Sequence, residues 1–538
     1  MFAALLLSVV AGVVEADASE PLPVIDFPLL DRARSVDLID LDFEFPEALK
    51  ELDGKRVELV GFMAPFDSLD DMRRCMIVPS YVGCTFCSPP SLTQVVFVTQ
   101  GRKKTSKRYP FIEPPSRVVG TLRLSVSESE RDGQSQGFMY SIENAMVTPY
   151  AGKGPSRAPG HGAAPHQSTA PPVAMPGLVS DVAEIVGRDP SRAITIEKVP
   201  FEVFERLIRV RLGETFPGET REARRRAFSL MGFLPRDADW IGTLTELELS
   251  RRVAFSDETG ERVYLLDLVA DDHPYVRLEL VGEIAVAITR QHDARRPGVN
   301  DAKGGAASDD VRRSREAILH GIRLMASDRY ARSRGITTNP RPPAGIVLRA
   351  QQRGGEPPSA AFRLWQGLPA FAGAFFVDVS VGATGPFSVF DPVFEKPPSA
   401  SMELFRPRWY EHADRWEPDP VPSDFATGVL AEPPMFTDVL GIGGLIPWLA
   451  QWYPFDAAKA LAGGWTGDRW AVWDLAEGGP ALLLEVRWRD EESAKAFRDA
   501  IPVDTGWRIR PHVAGSTSVV LMQAEVSQTL ESMNWPAP

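Results

Sequence analysis

Residues 280–292 read Leu280-Val281-Gly282-Glu283-Ile284-Ala285-Val286-Ala287-Ile288-Thr289-Arg290-Gln291-His292, and the way this run folds decides the architecture of the distal half of the chain. Just upstream, Val276, Leu278 and Leu280 alternate with Arg277 and Glu279, and Ile284, Val286 and Ile288 continue the alternation past Glu283. A period of two is the pattern of a strand. Gly282 would also cost a helix about 1 kcal/mol relative to alanine. Periodicity alone therefore reads as a strand, and the helical reading needs support from outside the segment.

The 538 residues are enough for about two to four domains. Hydrophobic content of 44% and charged content of 24% are those of an ordinary globular protein. A net charge of −13 argues against nucleic-acid binding, and the one basic run, Arg102 to Arg108, is short enough to be a solvated hairpin loop.

Residues 1–18 have the character of a secretory signal peptide. Phe2 to Val14 is apolar, and Ala16-Asp17-Ala18 fits a small-residue cleavage site, although the usual basic start is missing. No later run approaches about eighteen uninterrupted apolar residues, so no transmembrane segment is expected beyond the signal peptide. The expected location is the periplasm or the extracellular space. Three cysteines, Cys75, Cys84 and Cys87, are too few for a disulfide scaffold and allow one bridge with one thiol left over.

Residues 19–45 read as an extended lead-in. Residues 46–150 carry five short alternating runs, at 56–63, 76–78, 94–99, 116–126 and 137–147, separated by turn residues; this spacing predicts a small barrel or sandwich. Residues 151–176 are rich in Gly, Pro, Ala, Ser and His, the composition of a flexible linker that solvates His161 and His166. From 177 to 538, helical patterns at 200–212, 221–231, 237–254, 309–329, 434–451 and 457–462 interleave with strand patterns at 262–269, 480–488 and 518–524. Without βαβ alternation the class is α+β.

The proximal domain carries Gly54-Lys-Arg-Val-Glu-Leu-Val-Gly-Phe-Met-Ala-Pro65, the cysteine segment ending in Pro89-Pro90, and Gln94-Val-Val-Phe-Val98. These resemble an uncharacterised family of exported bacterial domains, which implies a five-stranded OB-like barrel. Cys84-x-x-Cys87 can chelate a metal, form a disulfide or cycle between the two states. A closed zinc site needs four ligands. Cys75 could supply a third, with Asp67, Asp70 and Asp71 the only nearby sources of a fourth.

The distal domain resembles a family of bacterial secreted zinc-metallopeptidase-like proteins. Its Leu-Ala-His-Glu-Leu-Thr-His stretch corresponds to residues 280–286 here. Leu234-Pro-Arg-Asp-Ala-Asp-Trp240, Arg252-Val-Ala-Phe-Ser-Asp257, the segment from Pro397 to Tyr410 and Gly464-Trp-Thr-Gly-Asp-Arg469 resemble further motifs in the same order. This resemblance implies that residues 280–292 are helical and selects that reading. It implies a zincin-like fold in which two histidines on one helix face hold zinc and the intervening glutamate serves the metal-bound water. Here Glu283 remains, but Gly282 and Val286 replace the histidines, His320 takes the third-ligand position, and Arg406-Pro407 replaces a His-Pro. Neither glycine nor valine has a lone pair to offer, so metal-assisted hydrolysis is not expected and an aliphatic-lined hollow should stand where the cation sat.

The resulting expectation is an exported, non-enzymatic pseudo-peptidase with a β-barrel module that binds a peptide, protein or envelope component, with no catalytic residue and no cofactor. A metal-binding or thiol-active protein using Cys75, Cys84 and Cys87, with zinc as the metal, is one alternative. A hydrolase with a rearranged site around Glu283 and His320 is the other. His292 is expected to be a structural hydrogen-bonding group, His273, His412 and His512 have no partner pattern, and Trp465, Trp470 and Trp473 read as core.

Overall fold

A computed structural model describes residues 22–39, 42–65, 73–79, 92–101, 112, 115–124, 139–150, 175–267, 273–292, 308–334, 336, 359–381, 393, 398–411, 419–476, 479–510, 516–525, 529, 531 and 533. The signal-peptide region, most of the 151–176 linker, the basic run, Cys84, Cys87, His161, His166, His412 and His512 lie outside the described residues. The molecule is a mixed α+β assembly of several sheets.

The alternating runs of the proximal half form β4 (Arg56–Pro65), β5 (Arg74–Val78), β6 (Val96–Gln100), β7 (Ser116–Leu124) and β8 (Tyr140–Pro149), joined by a short β1 (Val24–Ile25). The sheet order is β1-β4-β5-β6-β8-β7, and β4 pairs additionally with β7. β4 achieves this by changing partner midway: Arg56–Gly61 pair with β7 and Phe62–Pro65 with β5. Gly61 sits at the changeover, where a Cβ would come within 2.5 Å of Ile77 Cγ2 and 2.9 Å of the Val78 carbonyl. Only a residue without a side chain allows that approach. One face of the sheet buries Val57, Leu59, Cys75, Ile77, Val96, Val98, Val118 and Ile142.

The lead-in is more than an extended segment. It contains α1 (Phe27–Leu30) and a hairpin of β2 (Arg34–Asp37) and β3 (Asp42–Glu44). Phe27 and Leu30 enter the proximal core, whereas Leu38 and Ile39, at the hairpin turn, enter the distal one. The Leu38 amide donates to the Phe405 carbonyl at 2.9 Å. Arg406, at the expected His-Pro position, is buried with its Nε 3.4 Å from Asp37 and its guanidinium 4.1 Å from the Trp409 ring centroid. Arg408 pairs with Glu44.

In the distal half, β9 (Thr195–Val199), β11 (Arg262–Leu266) and β10 (Ala254–Ser256) form a small sheet. After α2 (Glu47–Lys50) in the proximal half and α3 (Met175–Val186), the helices α4 (Phe201–Thr215), α5 (Gly218–Leu230), α6 (Trp240–Arg251), α7 (Pro274–His292), α8 (Asp309–Ser333) and α9 (Ala360–Val381) follow around it. A second, antiparallel sheet has the order β12-β13-β14-β16-β15, formed by Phe436–Asp438, Trp465–Leu475, Gly479–Trp488, Ser518–Ala524 and Arg508–Ile509. Both of its faces are covered: Trp470, Leu482, Leu484 and Trp488 join the main core, while Trp473, Leu483 and Val520 pack under Val421, Phe425 and Val429. Burial on two faces explains the unbroken apolar run at 481–484. Asp468 of the Gly-Trp-x-Gly-Asp-Arg motif accepts the amides of Leu440 at 2.7 Å and Gly441 at 2.8 Å and the Trp465 indole N–H at 3.0 Å. The motif thereby anchors the start of the helix Ile442–Leu449 to the sheet.

Residues 280–292 are helical. Every residue from Leu280 to Thr289 is buried, so α7 has no solvent face to imprint a 3.6-residue period on the sequence. α8 and α9 cross at Gly321 and Gly373, where a side chain on either residue would collide with backbone of the facing helix.

All twelve tryptophans lie at or beyond Trp240, so tryptophan fluorescence reports the distal half alone. Leu38→Ala is expected to destabilise that half by about 2–5 kcal/mol, the cost of truncating a buried leucine. Denaturant unfolding followed by tryptophan emission checks this; an unchanged midpoint would mean that the hairpin does not brace the distal core.

Candidate functional site

α6 ends at Arg251, and Arg252 turns the chain into β10 with its amide donating to the Glu248 carbonyl at 3.0 Å. That geometry directs the Arg252 side chain between α6, α7 and α8. Its Nε lies 2.6 Å from Glu248 Oε2, its Nη1 donates to Glu283 Oε1 at 3.1 Å, and its Nη2 is 3.3 Å from His320 Nε2. Glu283 Oε2 accepts from the amide of Ser256 at 2.9 Å and from its hydroxyl at 3.1 Å. One turn earlier on α7, Glu279 pairs with Arg323 at 3.2 Å, and Arg323 is also 3.9 Å from Glu283. Arg211 of α4 reaches Glu248 at 3.5 Å. Arg290 donates Nη1 to the carbonyls of Ser256 at 2.9 Å and Asp257 at 2.6 Å.

These groups shape one another's protonation. Burial raises Glu248, but the nearby guanidinium groups of Arg252, Arg211, Arg251 and Arg323 outweigh it and hold the carboxyl below its usual range. Burial pushes Glu279 up despite Arg323. Burial, reinforced by Arg252, Arg323, Arg211 and Arg290, drives His320 well below an ordinary imidazole. The ring is therefore neutral at physiological pH, and Arg252 is the donor in their contact.

The structure brings Glu283 and His320 to one centre and fills the space between them. The expected aliphatic hollow is absent: Arg252 and Arg323 occupy it, because a buried Glu283 needs a cation and these two residues supply one. Gly282 is a packing residue, since a Cβ there would overlap Arg323 Cγ and lie 2.9 Å from Ser327 Oγ. A histidine could not be accommodated without moving α8. Val286 is buried but stands outside the large apolar cluster. Arg211, Arg252 and Arg290 did not stand out in the sequence. Their signal was chemical rather than positional: a glutamate in a run that becomes wholly buried demands a partner, and Arg323 already follows His320 by three residues.

The remaining candidates have structural roles. His292 Nε2 donates to the Asp189 carbonyl at 2.8 Å, and His273 Nδ1 accepts the Tyr275 amide at 3.2 Å. Trp465, Trp470 and Trp473 are core. Cys75 is a free, buried thiol on β5, and burial pushes it up to about 12, so it carries almost no thiolate at neutral pH. Among the described residues there is no group of three or more His, Cys, Asp or Glu placed to hold a metal ion, and no helix long and apolar enough to cross a membrane.

Comparison with known proteins adds family matches to parts of the chain. Residues 38–149 match the model of a family described as a protein of unknown function (DUF3299). Residues 430–519 match a domain of unknown function (DUF8575). Among solved structures, a DUF3299 family protein from Pseudomonas aeruginosa PAO1 is similar at 24% identity, over 21% of this chain and 70% of that one, with a TM-score of 0.16. No curated protein matches.

The neutral state of His320 has a consequence for stability. Unfolded, the imidazole takes a proton near 6.5, whereas folded it takes one only at lower pH. The unfolded chain then binds more protons, so this contribution is complete above about pH 6.5 and is lost as the pH falls. Its slope is at most about 1.4 kcal/mol per pH unit. His320→Gln should flatten the decline in unfolding midpoint between pH 7 and 5; an identical profile in the two proteins would show that His320 is not held neutral.

Proposed function

We propose that the chain is an exported, non-enzymatic protein of the periplasm or extracellular space. In this reading an OB-like β-barrel module is coupled to a degenerate zincin-like domain that binds a peptide, a protein or an envelope component. The observation that carries the reading is the guanidinium of Arg252, bonded to Glu283 and in contact with His320, the two residues left from the expected metal site. A fixed organic cation standing against Glu283 removes the carboxylate from service as a general base and leaves His320 no room to recruit zinc alone. The close packing of Gly282 on Arg323 and Ser327 supports the same reading, because restoring the lost histidine would need α7 and α8 to separate. The barrel part is supported by the strand pairings, which run β4–β5–β6–β8–β7 and return to β4.

The test is elemental analysis for zinc together with a peptidase assay on the full chain, before and after incubation with zinc. The expected result is zinc far below one equivalent and no turnover, with Gly282→His/Val286→His restoring neither. Stoichiometric zinc with peptidase turnover that disappears in Glu283→Ala would establish a hydrolase instead.

A further inference from the structure

Among the described residues, one guanidinium of the same centre stands without a carboxylate partner. Four guanidinium groups, from Arg211, Arg252, Arg290 and Arg323, share it with three carboxylates, from Glu248, Glu279 and Glu283. Arg252 and Arg323 are bonded to carboxylates, and Arg211 stands 3.5 Å from Glu248, which Arg252 already engages at 2.6 Å. Arg290 has no carboxylate partner among the described residues. Its Nη1 donates to the carbonyl oxygens of Ser256 and Asp257 and to the Ser256 hydroxyl, and its Nε is buried with no acceptor. Two further acids act on the centre from outside it: Glu258 is exposed, and Glu316 is engaged by Arg312 at 2.7 Å. Arg251 adds another cation near Glu248. Arginine does not escape burial by losing its proton, and an unpaired buried charge is costly.

We infer that Arg290, with Arg211 beside it at β10, forms a binding site for a carboxylate. Arg211 lies over the Phe255 ring at 5.6 Å and Arg290 is tied to Ser256, so consecutive residues of one strand hold the two guanidinium groups. Both residues are partly exposed, which gives a ligand access from the surface. A guanidinium with no carboxylate of its own accepts an incoming carboxylate through paired, charge-assisted hydrogen bonds. A free small acid and the C-terminus of a peptide share this chemistry. The inference rests on the guanidinium of Arg290, which has no carboxylate partner among the described residues, and stands whether or not the domain descends from a peptidase.

The experiment measures binding to the full-length protein by calorimetry and by the shift in tryptophan-detected melting. The probes are acetyl-trialanine acid, its C-terminal amide, and acetate. The acid should bind saturably and raise the melting point while the amide does neither. Arg290→Gln should weaken binding about ten-fold or more, the loss expected for a hydrogen bond to a charged group. Arg211→Gln serves as the second variant should Arg290→Gln not fold, and the same weakening is expected there. Binding of acetate as tight as that of the peptide acid supports the site and assigns it to free small acids; preference for the peptide acid assigns it to a chain terminus. Equal behaviour of acid and amide, no saturable binding of any probe, or binding that survives both substitutions overturns the inference. The zinc measurement leaves this outcome untouched, so the two readings fail separately.

Discussion

One buried guanidinium organises the distal half of this protein. Arg252 links the end of α6 to Glu283 on α7 and touches His320 on α8, so three helices meet on a single cation. Two buried carboxylates would each cost several kcal/mol if left alone. With Arg252 between them both carboxylates have a counter-charge, and Ser256 donates two hydrogen bonds to the second oxygen of Glu283. The arrangement depends on close helix packing, which explains the glycines. Gly282 lets α8 approach α7, and Gly321 with Gly373 does the same for α8 and α9. Side chains at these points would push the helices apart and pull Arg252 and Arg323 away from their partners.

The two halves are joined in a way that their family matches do not mark. The residues matched to DUF3299 begin at Leu38, inside the turn of the β2–β3 hairpin. That turn is part of the distal core, and Arg406 and Arg408 hold the strands on either side of it. The linker-like composition of 151–176 therefore does not imply independent halves, because the lead-in supplies a second, packed connection.

Legibility in the sequence followed exposure. Strands with one solvated face kept their alternation: the runs at 56–63, 76–78 and 116–126 correspond to β4, β5 and β7 with small end shifts. The helix α7 was nearly illegible, because ten consecutive buried residues leave no polar stripe, and an accidental alternation of Val276, Leu278 and Leu280 mimicked a strand. Resemblance to other proteins, not periodicity, selected the helix. The apolar α9, with Pro369 inside it, escaped notice for the same reason. At the site, Glu283 and His320 were readable as a pair, whereas their partner Arg252 was not. Arg252 comes from a different element, and no spacing rule connects residue 252 to residues 283 and 320.

The claim that Arg252 is the internal cation of this centre is tested most directly by a double-mutant cycle with Arg252→Met and Glu283→Gln, read as unfolding free energy from tryptophan emission. Arg252→Met alone should cost about 3–5 kcal/mol, because it strands buried carboxylates. The double variant should recover a substantial part of that loss, giving a coupling energy above about 1 kcal/mol. Additive effects of the two substitutions, or a wild-type midpoint in Arg252→Met, would contradict the account.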